Sequence, residues 1–333
     1  MSAVELDRPQ RFDIVYTTRF RYPEPVRESH NEVRACPVDD EHQSVLHYGF
    51  RSAPASSVQS FRDYWGTRVE AFGVREPHAE LVVVAESEVE VRPRLAAAPV
   101  GRPLSELRVA LRDAHFDETI PTEATGWSAE MLDVAREIAG AGEDDPTSVV
   151  RSIEAAVRDR LDYVGGETNV STTAAEAWAG GAGVCQDFAH VAVALGRAVG
   201  LPSRYVSGFL FTSSEATGAV PADTDSVDVQ THAWVEFAVE PGRWVPIDPT
   251  NGLPVRQFHV KIGHGRHYDD VCPFHGSYVG EEGAELEAAV AMRRAGEREL
   301  PRPSERPADR GVLAGRSMPV ATGRAQQQQQ QQQ

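Results

Sequence analysis

Lysine is almost missing from this chain: Lys261 is the only one, and every other strong cation is arginine. Such arginine-for-lysine usage fits either GC-rich coding or adaptation to a salty cytoplasm, where a dense carboxylate surface stays hydrated. Positive charge is short overall, with 33 basic against 50 acidic residues and a formal net charge of −17. A surface of that sign repels phosphate backbones and anionic lipid, which excludes nucleic acid and membrane surfaces as expected partners. No apolar run approaches the ~20 residues that a spanning helix needs. Residues 1–7 show no basic segment leading into an apolar one, so no signal peptide is expected. Cysteine is scarce too: Cys36, Cys185 and Cys272 cannot form a disulfide framework without leaving one over. These absences together point to a reducing, cytoplasmic location.

What is present is an ordinary globular composition, 41% hydrophobic, in 333 residues, enough for about two domains at ~150 residues each. Between residues 11 and 94, runs such as Phe12-Asp13-Ile14-Val15-Tyr16-Thr17 and Glu80-Leu81-Val82-Val83-Val84 alternate or enrich β-formers between Pro, Gly and Ser breaks. That pattern predicts antiparallel strands and a small β-sandwich. Residues 96–103 read as a linker. Helical spacing follows: Ser128 caps a helix to about Ala139, and Pro146 opens a second with Val149, Val150, Ile153, Val157 and Leu161 on one stripe. Thr172 or Thr173 opens a third to Ala179. The best-defined helix runs from Val184 to Val199, stopped by Gly200 and Pro202. Strands are expected at 203–212, 231–239, 243–247 and 258–262. Beyond residue 283 the chain turns Arg-, Glu- and Pro-rich and ends in eight glutamines, a composition expected to be disordered past about residue 300.

Cys185 falls at the start of the strongest helix, behind Gly180, Gly181 and Gly183. Free N–H groups and the positive helix end favour a thiolate there, and the same donors can hold an oxyanion. A base and its orienter stand on successive predicted strands: His232 at the start of one, Asp248 at the end of the next. A hairpin turning through Pro241-Gly242 would bring these two together, giving nucleophile, base and orienting carboxylate. Each residue has a plainer reading by itself: a structural thiol, a core histidine, a turn-starting aspartate before Pro249.

Four segments together are similar to a known family. They are Gly183-Val184-Cys185-Gln186-Asp187-Phe188-Ala189-His190, Gly200-Leu201-Pro202-Ser203-Arg204-Tyr205, His232-Ala233-Trp234-Val235-Glu236 and Trp244-Val245-Pro246-Ile247-Asp248-Pro249-Thr250-Asn251. This set resembles the bacterial and archaeal transglutaminase-like superfamily, whose members are often described as candidate cysteine proteases. The likeness is dense from Thr172 to Gly252 and looser through Gly265 to Val271. Residues 16–22, 31–34 and 77–81 resemble the β-rich region that precedes this core in the family. The resemblance implies an α+β fold, with a papain-like transglutaminase core preceded by an antiparallel β-sandwich. Its expected divisions are 1–100, 101–283 and a disordered tail at 284–333. It also implies Cys185, His232 and Asp248 as the triad; no cofactor and no metal are expected. Cys272 departs from the family pattern, where proline or a small residue is expected.

The expected chemistry is acyl transfer on the amide carbonyls of a protein or peptide substrate, with hydrolysis favoured over transamidation. A non-enzymatic binding module is the alternative from a different class. The sharpest rival is zinc, from His264-Gly265-Arg266-His267 and Cys272-Pro273-Phe274-His275, whose spacing suits a tetrahedral site; the family pattern already accounts for that stretch. Asp187 is expected to serve the helix dipole and His190 to pack. Trp178, Trp234 and Trp244 are expected in the core rather than along a substrate groove. Cys36 reads as a free thiol. The second oxyanion donor and the oligomeric state are left open.

Overall fold

The computed structural model describes residues 8–140, 145–212, 226–295 and 323–325. The glutamine run and residues 1–7, both read above from sequence, lie outside them. Six strands come first: β1 (Gln10–Val26), β2 (Glu28–Val33), β3 (Gln43–Ala53), β4 (Val58–Arg62), β5 (Arg68–Val74) and β6 (His78–Val91). Helices α1 (Leu104–Ala114), α2 (Ala129–Ala139) and α3 (Pro146–Arg160) follow, then β7 (Asp162–Tyr163), α4 (Ala174–Gly180), β8 (Ala182–Gly183) and α5 (Cys185–Val199). The rest is strand: β9 (Ser203–Leu210), β10 (Ser226–Val229), β11 (Thr231–Glu240), β12 (Arg243–Ile247), β13 (His259–Gly265), β14 (Phe274–Val279), β15 (Glu285–Arg294) and β16 (Gly323–Ala325).

The helix starts follow the capping chemistry of the sequence. The Ser128 side chain accepts the Met131 N–H at 3.2 Å, and Asp145 accepts that of Thr147 at 2.9 Å ahead of Pro146. At α4, Thr173 and Glu176 each accept the other's backbone N–H, satisfying two of the donors a helix start leaves free. Gly200 ends α5 at φ 87°, a left-handed conformation that costs glycine least. The pattern did not predict α1, although Leu104, Leu107 and Leu111 form its buried stripe.

Three sheets of four or more strands form, in the orders β10-β15-β1-β6-β3, β16-β14-β2-β5-β4 and β12-β11-β9-β13. The two five-stranded sheets enclose a core holding Phe12, Tyr16, Phe20, Phe72 and Leu81, the antiparallel sandwich expected of the N-terminal part. The sandwich does not end at residue 100. β10, β14 and β15 come back from the C-terminal half to complete it, and Phe209, Val260 and Ile262 of the four-stranded sheet share its core.

The expected tail at 284–333 is therefore corrected at its start. Residues 285–294 form β15, paired antiparallel with β1 from Phe12↔Arg294 to Arg21↔Glu285. The reason is alternation beneath a charged composition: Val290 and Met292 are buried while Glu285, Glu287 and Arg293 face outward. The other core gathers around α5, of whose residues only Ala198 is not fully buried. That helix is packed by α2, α3 and α4 on one side and by β9 and β11 on the other. No helix among the described residues is long and apolar enough to cross a membrane.

Candidate active site

Cys185 is the first residue of α5, with Val184 in extended conformation as the cap. Val184 has no polar side chain, so the capping comes from within the helix: Asp187 reaches back, and its Oδ2 accepts the Val184 N–H at 2.8 Å. The same oxygen accepts the Thr168 hydroxyl at 2.7 Å. This geometry requires Gly183, because a Cβ there would sit 2.6 Å from the Asp187 side chain. Gln186 donates its Nε2 to the Val170 carbonyl at 3.1 Å. The segment around 168–170 is thus tied across the start of α5 by the two residues after Cys185. Asp187 is more than the dipole partner expected of it. Burial pushes its carboxyl up to about 6, against the hydrogen bonds from Thr168 and Val184 that favour the anion.

β11 and β12 pair through the expected hairpin, from Val235↔Ile247 to Glu240↔Arg243. Just past the end of that ladder, His232 Nε2 lies 2.8 Å from Asp248 Oδ2. The same ring is hydrogen-bonded to Cys185. The structure therefore brings Cys185, His232 and Asp248 into one hydrogen-bonded line, all three buried. Burial alone would lower the imidazole; the Asp248 charge and its hydrogen bond, with that of Cys185, hold His232 well above its ordinary value. Asp248, although fully buried, is kept ionised far below the usual carboxylate range by His232 and His259. A ring that keeps its proton at neutral pH is in the state that can pair with a thiolate.

Two further residues orient the carboxylate. Asn251 donates its Nδ2 to Asp248 Oδ2 at 2.8 Å and its backbone N–H to Oδ1 at 3.3 Å. His259 lies 3.2 Å from the same Oδ2 through Nε2, while its Nδ1 accepts the Arg256 N–H at 3.2 Å. The accepted backbone proton fixes the tautomer: Nε2 carries the hydrogen and donates it to Asp248. Burial lowers the His259 pKa, which keeps that ring neutral. Sequence reading passed over both as orienters; the turn Asp248-Pro249-Thr250-Asn251 was the available signal for Asn251, and nothing in the spacing announced His259.

His232, Asp248 and His259 each bring a donor atom within 4.8 Å of the others, a grouping that a cation could use. Both Nε2 atoms, however, are already engaged with Asp248 Oδ2. The rival zinc residues are not gathered: His264 contacts Arg204 and Trp65, His267 faces Asp269 and Asp270, the Cys272 thiol bonds the Phe274 carbonyl, and His275 is exposed. His190 packs as expected, its Nε2 accepting the Tyr268 N–H and burial pushing it down to about 3. Trp178 and Trp234 are core residues, whereas Trp244 is half-buried beneath the Arg204 guanidinium, 3.8 Å from its centroid. A cavity of about 370 Å³ is lined by Thr168, Thr172, Glu176, Gly180 and Ala182.

This fold, with a thiol at a helix start facing a His–Asp pair, defines a transglutaminase-like protein, and the chain belongs to that superfamily. The family model for the transglutaminase-like superfamily matches residues 133–249, and the one for the bacterial transglutaminase-like N-terminal region matches 12–90. An uncharacterized protein of Mycobacterium leprae is 33% identical over 285 residues, covering 85% of this chain and 99% of its own length. An uncharacterized Mycobacterium bovis protein is 30% identical over 300 residues, 86% and 94% of the two chains. The crystal structure of a candidate cysteine protease from Cytophaga hutchinsonii shares the fold, with a TM-score of 0.68 at 21% identity over 88% of this chain and 93% of that one.

Proposed function

We propose that this chain catalyses cysteine-dependent acyl transfer on amide or peptide carbonyls, with water as the preferred acceptor. The observation that carries the reading is the buried line from Cys185 through His232 to Asp248 at the start of α5. Cys185 attacks the carbonyl carbon and His232 delivers its proton to the departing amine, leaving a thioester. His232 then takes a proton from water, which attacks the thioester and releases the acid and the thiol. The Cys185 backbone N–H is one donor to the oxyanion; such a donor is worth about 3–4 kcal/mol. Asp248, held by Asn251 and His259, keeps His232 in the required tautomer.

Transamidation is the second reading, since an amine can replace water at the thioester. The single lysine of the chain is no ready acceptor, being buried with Nζ 2.6 Å from Glu236. The test is a mass-spectrometric product assay on glutamine-containing peptides, with and without a primary amine, for the wild type and Cys185→Ala. Hydrolysed product lost in the variant is the expected result. Amine incorporation without hydrolysis would replace the acceptor assignment, and activity surviving in Cys185→Ala would remove the nucleophile.

A further inference from the structure

The acidic surplus of this chain is reversed in one place. A cavity of about 640 Å³ lies between the segment after β6, the outer side of β12 and the loop that leads into β13. Arg94, Arg243 and Arg256 line it together with Leu95, Trp244 and Val255, and no Asp or Glu belongs to its wall. In a protein with 50 acidic and 33 basic residues, a concavity carrying three arginines and no acid is a local inversion of charge.

The arginines are not spent on internal partners in equal measure. Arg243 is held by Glu240 at 2.9 Å and by the Ala98 carbonyl. Arg94 and Arg256 make no side-chain hydrogen bond or ion pair among the described residues, and the Nε of Arg94 is buried without a partner. The Arg94 charge acts on Glu236, which already binds Lys261 and Arg204, each at 2.6 Å. Positive charge behind this wall is therefore in excess. A ligand carboxylate would give Arg94 and Arg256 the charge-assisted bonds they lack. The apolar lining, including Leu95 at 92% exposure, would cover neighbouring hydrocarbon.

The geometry points to an acidic, partly apolar peptide segment as the occupant of this cavity, bound as part of the substrate of the neighbouring catalytic centre. The inference rests on the acyl-transfer reading for the word substrate, and on the cavity alone for the binding. The cavity is connected to the centre through the chain. Pro246 stands two residues before Asp248, and the Arg256 N–H is the donor that sets the tautomer of His259 against Asp248. A peptide seated against Arg256 thus rests on the loop whose N–H bonds His259, the partner of Asp248.

Binding is separated from turnover by working with full-length Cys185→Ala. A fluorescein-labelled short peptide of alternating glutamate and leucine is titrated by anisotropy at low salt, beside its glutamine–leucine counterpart. The expected result is an affinity about tenfold higher for the glutamate peptide, reduced to the glutamine level by Arg94→Gln with Arg256→Gln and weakened by salt. Arg256→Glu is expected to reverse the preference toward a lysine–leucine peptide. Equal affinity for the two peptides, or a preference that survives both arginine substitutions, would overturn the inference. Selective binding without cleavage by the wild type would leave the cavity assignment standing and count against the acyl-transfer reading alone.

Discussion

β11 and β13 each carry two buried charged or titratable groups, and the two resulting networks behave differently. At one end, His232 and His259 converge on Asp248. A few residues along the same strands, Glu236 meets Lys261 and Arg204. Both carboxylates are buried, and both are held well below the usual range by their cations. The Glu236 network ends on the fixed charges of Lys261 and Arg204, with Trp244 stacked under Arg204. The Asp248 network ends instead on a thiol at a helix start. Burial and a displaced pKa are therefore common to structure and chemistry; what separates them is a reactive atom at the end of the line.

The largest contrast is expected from Cys185→Ala and His232→Ala. Each should lower turnover by about 10⁴-fold or more, measured as single-turnover product formation, because triad members act as a unit. Glu236→Gln should do the opposite. It leaves Lys261 and Arg204 buried against a neutral amide and should cost about 3–5 kcal/mol in urea denaturation, with activity per folded molecule retained. The pH dependence sharpens the same comparison. The folded-state pKa of Glu236 lies below its unfolded value, so its contribution is present at neutral pH and is lost as pH falls below about 4.5. The wild type should lose stability over that range, and Glu236→Gln should lose less.

Asp187 has the contrary sign. Its carboxyl is raised from 3.8 to about 6, so the folded state keeps the proton longer than the unfolded chain does. Stability from this group is greatest below about pH 4, falls as pH rises to about 6 and is flat beyond, by on the order of 2–3 kcal/mol. Asp187→Asn, compared with the wild type by denaturant midpoint across that window, should lack the decline; a wild type that gains on the variant as pH rises would contradict the burial argument. The smallest effect is expected at His259→Gln, which loosens Asp248 without touching Cys185. A drop of about tenfold in kcat, equivalent to about 1.4 kcal/mol, with KM little changed, would mark a positioning residue.

Much of this was readable from residues. Ser128, Pro146, Thr173 and Gly200 mark helix boundaries because capping is local chemistry, and the hairpin through Gly242 follows from its flanking alternation. Cys185, His232 and Asp248 were legible because each stands at the edge of such an element. What escaped reading was long-range. The return of residues 285–294 to β1 depends on a partner more than 250 positions away, and the Arg- and Glu-rich texture masked the alternation of Leu286, Ala288, Val290 and Met292. The closure of the sandwich by β14 escaped for the same reason. His259 reaches Asp248 through a loop whose path no spacing rule fixes, and the arginines of the cavity come from segments about 150 residues apart in the chain.

The most direct test of the account is the rate at which iodoacetamide alkylates each of the three cysteines, followed by mass spectrometry in the native protein. Cys36 and Cys272 are buried, and burial pushes their thiols up to about 11 and about 12. Cys185 is just as hidden in the resting fold, yet it alone has an imidazole to take its proton. Fast, selective alkylation of Cys185 at neutral pH, falling to the level of the other two in His232→Ala, is the expected result. Uniformly slow labelling of all three, or labelling of Cys185 that is indifferent to His232, would contradict it.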